Sequence, residues 1–378
     1  MRLDVGTTIF AEMSALAVAT GSINLGQGFP DTDGPASLLE DAVAAIRSGQ
    51  YNQYPPGPGI PALRQAIAAH QRHHYDLEID PDTGTLVTAG ATEAIAAAVL
   101  GLTEPGDEVV LFEPYYDSYA ATVTLAGCTR RSVTLRPQPA APGEPTHWTF
   151  DPDQLRAAVT AKTRVILLNT PHNPTGTVFD DAELQHVADV AQANDLVVIS
   201  DEVYEHLVFD GRHRPIATLP GMAERTVTIG SAGKTFSVTG WKIGWATGPE
   251  RLVTATKGVK QFLTYVSGGP FQPAVARAIE TTTDDVYAAT AADLRARRDL
   301  FCDGLPDVKI PQATYFATVD VGRDGVEYCR DLPQEAGVVA IPSQVFYDTA
   351  AGDTFVRFAF CKRPEVLREA RRRLGEMA

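Results

Sequence analysis

At 378 residues the chain is too long for one small hydrophobic core, so two domains are expected. A hydrophobic content of 44% with 8% aromatics is that of an ordinary globular protein, not of a disordered or fibrous one. Acidic residues outnumber basic ones by 47 to 32 and no basic block occurs, which argues against nucleic acid as a partner, because phosphate contacts need a basic face.

The four cysteines (Cys128, Cys302, Cys329, Cys361) are widely spaced and form no C-x-x-C pair. That spacing argues against zinc and against a disulfide framework, and it suits a reducing cytoplasm. Asp4 and Glu12 interrupt the N-terminus, which lacks the apolar core of a signal peptide. No run approaches the roughly eighteen apolar residues of a membrane span.

In chain order, a short helix precedes Asn24-Leu-Gly-Gln-Gly-Phe-Pro-Asp31, a stretch of turn formers. Ser37 is placed to cap a helix through about Ser48. A loop stiffened by Pro and Gly, Asn52 to Gly59, displays Tyr54, and Pro61 opens the next helix. Strands are expected at Leu86–Ala89, Glu108–Phe112, Thr129–Leu135, Arg164–Leu168, Leu196–Ile199 and Val227–Ile229. Helices are expected between them at Ala94–Leu102, Tyr116–Ala126, from Pro152 (capped by Asp151) and at Ala182–Ala193. Alternation of apolar strands with helices indicates an α/β fold with a largely parallel sheet. The segment Arg136 to Pro145, rich in Pro, Ala and Gly, reads as a surface loop.

Ligands of such sheets sit beyond the carboxyl ends of the strands. Five polar or aromatic clusters follow five strands there: Gly90-Ala91-Thr92, Glu113-Pro-Tyr115-Tyr116, Asn169 to Gly176, Asp201-Glu-Val-Tyr204 and Ser231-Ala-Gly-Lys234. The chain has only seven lysines. Lys257 and Lys260 read as helix surface, whereas Lys234 alone ends a buried strand among residues too small to cover it. An amine held there can lose its proton and attack a carbonyl, which is Schiff-base chemistry. If the carbonyl belongs to an aromatic aldehyde with a ring nitrogen and a phosphate, the other clusters suit the remaining groups. Ala91 and Thr92 at a helix start, Ser231 and Lys242 fit the phosphate. Tyr115 fits the ring face, Asp201 the ring nitrogen, and Tyr204 with Asn173 a ring oxygen.

Asn169-Thr-Pro-His-Asn-Pro-Thr-Gly176, Ser200-Asp-Glu-Val-Tyr-Glu205 and Ser231 through Trp245 resemble the class I/II, fold type I aminotransferases that use pyridoxal 5'-phosphate. The resemblance extends over nearly the whole chain. Asn24 to Asp31 and Asn52-Gln-Tyr-Pro55 resemble the branch of kynurenine–glutamine transaminases and N-succinyldiaminopimelate aminotransferases. Pro55-Pro-Gly-Pro-Gly-Ile-Pro-Ala-Leu-Arg64 is closest to the latter. The resemblance implies an aspartate-aminotransferase-like α/β fold, with a large cofactor-binding domain over 36–280 and a smaller α+β domain from 1–35 and 281–378.

It further implies that Lys234 is the Schiff-base lysine and proton carrier, with Asp201, Tyr204 and Asn173 at the ring. Ala91, Thr92, Ser231 and Lys242 hold the phosphate, joined by Tyr54 from a second subunit, which makes a homodimer with shared sites. Arg357 interrupts the apolar run Phe355 to Phe360, a costly placement unless the charge is paired. The resemblance makes it the ligand of the substrate carboxylate, completed by Gly26 and Asn173. Phe10 and the loop Ile341 to Phe346 resemble linings of the side-chain pocket. The substrates implied are an L-amino acid and a 2-oxo acid of the 2-oxoglutarate or pyruvate type.

Two departures from the family pattern, Ala313 at the head of Ala313-Thr-Tyr-Phe316 and a short loop after Asp320, are expected to lie away from the cofactor. His172 is assigned no catalytic role. A β-lyase acting on cysteine conjugates shares the same site chemistry and is an alternative. A cofactor-sensing regulator is a remote one, since the aminotransferase pattern begins by about residue 10. Ser231-Ala-Gly-Lys234 also matches the S-x-x-K of penicillin-recognising enzymes, but the chain lacks S-D-N and K-T-G.

Overall fold

The computed structural model describes residues 8–376; Asp4, cited above, lies outside them. A seven-stranded sheet runs in the order Thr85–Thr88, Gly244–Thr247, Thr226–Ser231, Val197–Asp201, Thr163–Asn169, Glu108–Glu113, Thr129–Thr134. Gly244–Thr247 is antiparallel to both neighbours and every other pairing is parallel. Along these strands successive residues bury into opposite layers. Val109, Leu111, Val165, Leu167 and Ile199 enter one core, while Val110, Phe112, Ile166, Leu168 and Val198 enter another. With both faces covered by helices, the strands read as continuous apolar runs instead of alternating ones. The fold is α/β of the aspartate-aminotransferase-like, fold type I kind.

A second, four-stranded antiparallel sheet has the order Val308–Lys309, Phe316–Asp320, Phe355–Ala359, Ile341–Pro342. Ile23–Asn24 pairs in parallel with Val338–Val339, which ties the N-terminal segment to these later elements. Met13, Ala17 and Leu25 share one core with Phe301, Phe358 and Leu367. Among the described residues no helix is long and apolar enough to cross a membrane.

Four local expectations need correction. Ser37 does not cap its helix, which runs Ala36–Ser48 with Pro35 at the cap position. The helix after the first long strand begins at Gly90, not Ala94, so Ala91 and Thr92 form its first turn. Gly90 has φ +76, a backbone turn that glycine adopts freely, and an added Cβ would meet Lys242 Nζ at 3.0 Å. The next helix starts at Asp117 with Tyr116 as its cap, one residue later than expected. Lys260 is not on the helix surface: it is 1% exposed, and its amine donates to Gly57 O (3.0 Å) and Tyr265 O (2.6 Å). Helical periodicity identified the face but not the loop that folds back over it.

Candidate active site

Strand register brings the site together. Asn169 lies opposite Asp201, and Asp201 opposite Ile229, two residues before Ser231, so these strands end at one edge. A cavity of about 460 Å³ opens there. Its walls include Phe10, Ala91, Thr92, Asn173, Asp201, Tyr204, Ser231, Lys234, Lys242 and Arg357. Gly26 stands behind that wall and reaches it through its carbonyl, which accepts from Arg357 Nη2 at 3.0 Å.

Lys234 belongs to the short helix Ala232–Thr235 that ends the buried strand. Burial lowers its pKa from 10.5 to about 8, against the opposing pull of Cys361 and Asp201. A minority of the amine, far more than for an ordinary lysine, is therefore neutral near physiological pH, the form that attacks carbonyls. Its proton is donated to Tyr315 Oη at 2.8 Å.

Burial raises Asp201 to about 6, partly offset by the hydroxyl of Tyr119, which donates to Oδ2 at 2.5 Å. Asn169 braces two of the clusters at once. Its Nδ2 donates to Asp201 O (2.8 Å) and its Oδ1 accepts from the Asn173 amide (2.8 Å).

Arg357 is 2% exposed, in a strand buried along its whole length. Nη1 donates to Asn173 Oδ1 at 3.0 Å and the guanidinium lies 4.2 Å from the Phe316 ring centroid. Phe346 and Phe10 flank it at 5.0 and 5.5 Å. Among the described residues it forms no ion pair, its Nε has no hydrogen-bond partner, and burial lowers its pKa to about 10. A buried cation with a free donor and aromatic walls is arranged to receive a carboxylate.

Two of the expected placements fail, and a third residue lies outside the cavity. Tyr115 does not face the cavity: it is 3% exposed, and its hydroxyl donates to Asp348 at 2.8 Å. The neighbouring Tyr116 takes the cavity position instead, because the chain turns into a helix at that residue and sends successive side chains in different directions. The Ala313-Thr-Tyr-Phe316 segment is not remote: Tyr315 holds the lysine amine and Phe316 stacks on Arg357. Tyr54 is 81% exposed and lies outside this cavity, against the Tyr265 ring at 5.4 Å.

Sequence reasoning placed Tyr116 and Asn169 in candidate clusters without giving either a role, and it missed Tyr119 and Tyr315 as site residues. Tyr119 follows Tyr116 by three positions and meets it edge to face at 5.7 Å, so helical spacing carried a signal for that pair. Nothing local marked Tyr315. His172 is buried with its Nδ1 on Thr175 Oγ1 (2.8 Å), and burial lowers its pKa to about 3. It is a neutral structural group.

An α/β sheet with a buried, partly neutral lysine between a carboxylate and an unpaired guanidinium defines a fold type I enzyme of amino-group chemistry. The sequence matches the family of class I and II aminotransferases over residues 20–374, and the chain belongs to that family. It is 52% identical to the probable N-succinyldiaminopimelate aminotransferase DapC of Mycobacterium tuberculosis, over 98% of this chain and 96% of that protein. It is 38% identical to the methionine aminotransferase of Escherichia coli, over 99% of this chain and 96% of the relative. The solved structure of N-succinyldiaminopimelate aminotransferase from M. tuberculosis superposes with a TM-score of 0.94 at 53% identity, covering 99% of this chain and 98% of that one. The protein is thus an aminotransferase, of a family generally dependent on pyridoxal phosphate.

Proposed function

We propose that the protein is a pyridoxal-phosphate-dependent transaminase that moves an amino group between an L-amino acid and a 2-oxo acid. Similarity to the mycobacterial protein makes N-succinyldiaminopimelate the first donor to test, ahead of the kynurenine and glutamine types. The observation that carries the reading is the buried amine of Lys234, its pKa lowered to about 8, set in one cavity with the Asp201 carboxylate and the Arg357 guanidinium.

The residues fit the cofactor. The helix Gly90–Leu102 points its unpaired N-terminal amides and positive dipole end at the cavity, and Lys242 Nζ lies over Gly90 where a Cβ would crowd it. When bound, pyridoxal phosphate supplies an aldehyde for the lysine and a protonated ring that withdraws electrons from the substrate α-carbon. Ala91 and Thr92 amides, Ser231 Oγ and Lys242 Nζ hold its phosphate, with Tyr54 contributed by a second copy of the chain. Tyr116 covers a ring face, the Asp201 carboxylate keeps the ring nitrogen protonated, and Tyr204 and Asn173 hydrogen-bond the ring oxygen.

Arg357 grips the substrate α-carboxylate, with Asn173 and Gly26 fixing the guanidinium plane. Lys234 Nζ takes the α-proton and returns it, and Tyr315 keeps that amine aimed. Phe10, Phe316 and Phe346 exclude water around the guanidinium. The same reading divides the chain into a large domain over 36–280 and a small one from 1–35 and 281–378. It makes the enzyme a cytoplasmic homodimer.

Borohydride treatment of cofactor-loaded protein tests the lysine: wild type retains covalent cofactor and Lys234→Ala does not. A donor panel with 2-oxoglutarate or pyruvate, run beside it, includes N-succinyldiaminopimelate, methionine, kynurenine and glutamine. Covalent cofactor in the Lys234→Ala protein, or no donor turned over by wild type, would sink the proposal. Pyruvate and ammonia from cysteine conjugates, without net amino transfer, would favour the β-lyase.

A further inference from the structure

Outside the active-site cavity, the helix Pro61–Tyr75 carries His70 and His74 one turn apart, which sets both imidazoles on one face. That face meets His206, in the segment that follows the strand ending at Asp201. His70 Nε2 and His206 Nε2 are 2.7 Å apart. Ring centroids lie 4.4 Å apart for His70 and His74, and 4.9 Å from His206 to each of them. One nitrogen from each ring falls within 4.8 Å of one from each of the other two.

Nothing in the catalytic mechanism uses these rings. A neutral imidazole carries one donor and one acceptor nitrogen, and three packed together satisfy few of them. The His70–His206 contact pairs one nitrogen of each, and Gln71 Nε2 reaches His70 Nδ1 only at 3.4 Å. Tyr287 stacks on His206 with centroids 3.8 Å apart and planes 9° apart, fixing that ring. Among the described residues its buried hydroxyl has no hydrogen-bond partner. Burial, first among the causes, lowers His70 and His74 to about 4, so their lone pairs are free of protons at neutral pH.

We propose that His70, His74 and His206 form a binding site for a divalent transition ion of the zinc kind. Imidazole suits such an ion, and three protein ligands leave the fourth tetrahedral position to solvent. Metal–nitrogen bonds of about 2.0–2.1 Å put tetrahedral ligand atoms roughly 3.4 Å apart. The present nitrogen separations, from 2.7 Å to within 4.8 Å, reach that with small rotations about the side-chain torsions. His70 and His74 line a surface cleft of about 500 Å³ beside Asp284, and His206 lines a neighbouring one of about 260 Å³. The Asp284 carboxylate is hydrogen-bonded to His73 Nε2 at 3.1 Å and lies 3.9 Å from His74 Nδ1, beyond direct hydrogen-bond reach. A bound ion would tie the helix Pro61–Tyr75 to the segment that carries Asp201 and Tyr204.

The test uses tag-free, cofactor-loaded protein, stripped with a chelator and titrated with zinc by calorimetry. About one ion per chain is expected. Loss of one of three ligands should cost more than the roughly 10- to 100-fold that follows loss of an outer partner, so His74→Ala and His206→Ala should each weaken binding at least 100-fold. His73→Ala should bind as wild type does. His73, His74 and Asp284 form a rival, more exposed cluster, and the variants separate the two. Zinc binding by wild type no stronger than by His74→Ala overturns the proposal. So does binding that His73→Ala abolishes and His206→Ala keeps. His74 is only partly buried, so its variant remains informative if His206→Ala fails to fold.

Discussion

Lys234 Nζ donates to the hydroxyl of Tyr315 at 2.8 Å, and that hydroxyl donates onward to Gly28 O at 2.9 Å. The two side chains are 81 positions apart, one at the edge of the seven-stranded sheet and one at the head of the strand Phe316–Asp320. The contact makes the geometry of the reactive amine depend on how the two sheets are held together.

Tyr315→Phe keeps the ring and removes the oxygen. A positioned proton-transfer group contributes roughly 100- to 10,000-fold, and losing only its alignment should lower kcat by roughly 10-fold. The amino-donor KM should change little and the cofactor should stay attached. Steady-state kinetics check this; a raised KM with normal kcat would place Tyr315 on the substrate instead.

Arg357→Ala should lower kcat/KM for the amino donor with the cofactor retained. Truncating one partner of a buried charge pair costs about 2–5 kcal/mol, or roughly 30- to 5,000-fold. Arg357→Lys should recover only part of this, since a lysine cannot present the planar fork. Cofactor loss in parallel with activity would refute the assignment.

Tyr119→Phe should move the acid limb of the pH–rate profile to higher pH. Asp201 must be ionised to balance a ring cation. Burial already raises it to about 6, and the Tyr119 hydrogen bond is the largest opposing influence. Removing that bond raises the carboxyl further, so activity is lost sooner as pH falls. An unmoved acid limb would show that another group controls it.

Lys234→Met should stabilise the cofactor-free protein while abolishing activity. The folded-state pKa, about 8 against an ordinary 10.5, means that folding opposes protonation of this amine. The destabilisation is full below about pH 8 and disappears as pH rises to 10.5. At neutral pH it is on the order of 3 kcal/mol, lessened by the lost bond to Tyr315. Urea melts of both apoproteins at pH 7 and pH 10 should show a gap that closes at the higher pH.

Lys260→Met should weaken cofactor binding from a distance. The amine joins Gly57 O to Tyr265 O, and the Tyr265 ring packs on Tyr54. Two part-buried carbonyls would lose a charged donor, at a cost of at most about 1–3 kcal/mol each. If Tyr54 serves a second subunit's phosphate, cofactor affinity falls along with stability. A fall in stability with unchanged affinity would detach Tyr54 from that role.

The clusters that follow the strands were legible because local pattern specifies them. Continuous apolar runs mark doubly buried strands, and ligands of such sheets collect at one edge. Lys234, Asp201, Asn173 and Thr92 could be picked out on that ground alone, and all four line the cavity. Arg357 stood out because a cation in an apolar strand demands a partner. Tyr115 and Tyr116 could not be told apart, since which ring faces inward depends on where the helix begins.

The sequence by itself determined six strands of the large sheet, the lysine at a strand end and the family, since each rests on neighbours a few positions away. It missed Gly244–Thr247, the strand that runs antiparallel to both its neighbours. Only the tertiary structure decided that Tyr315 holds the amine, that Lys260 is buried and that His206 joins His70 and His74. Those facts depend on where distant segments come to rest. Side-chain direction and burial there are set by packing across the fold, which no local periodicity encodes.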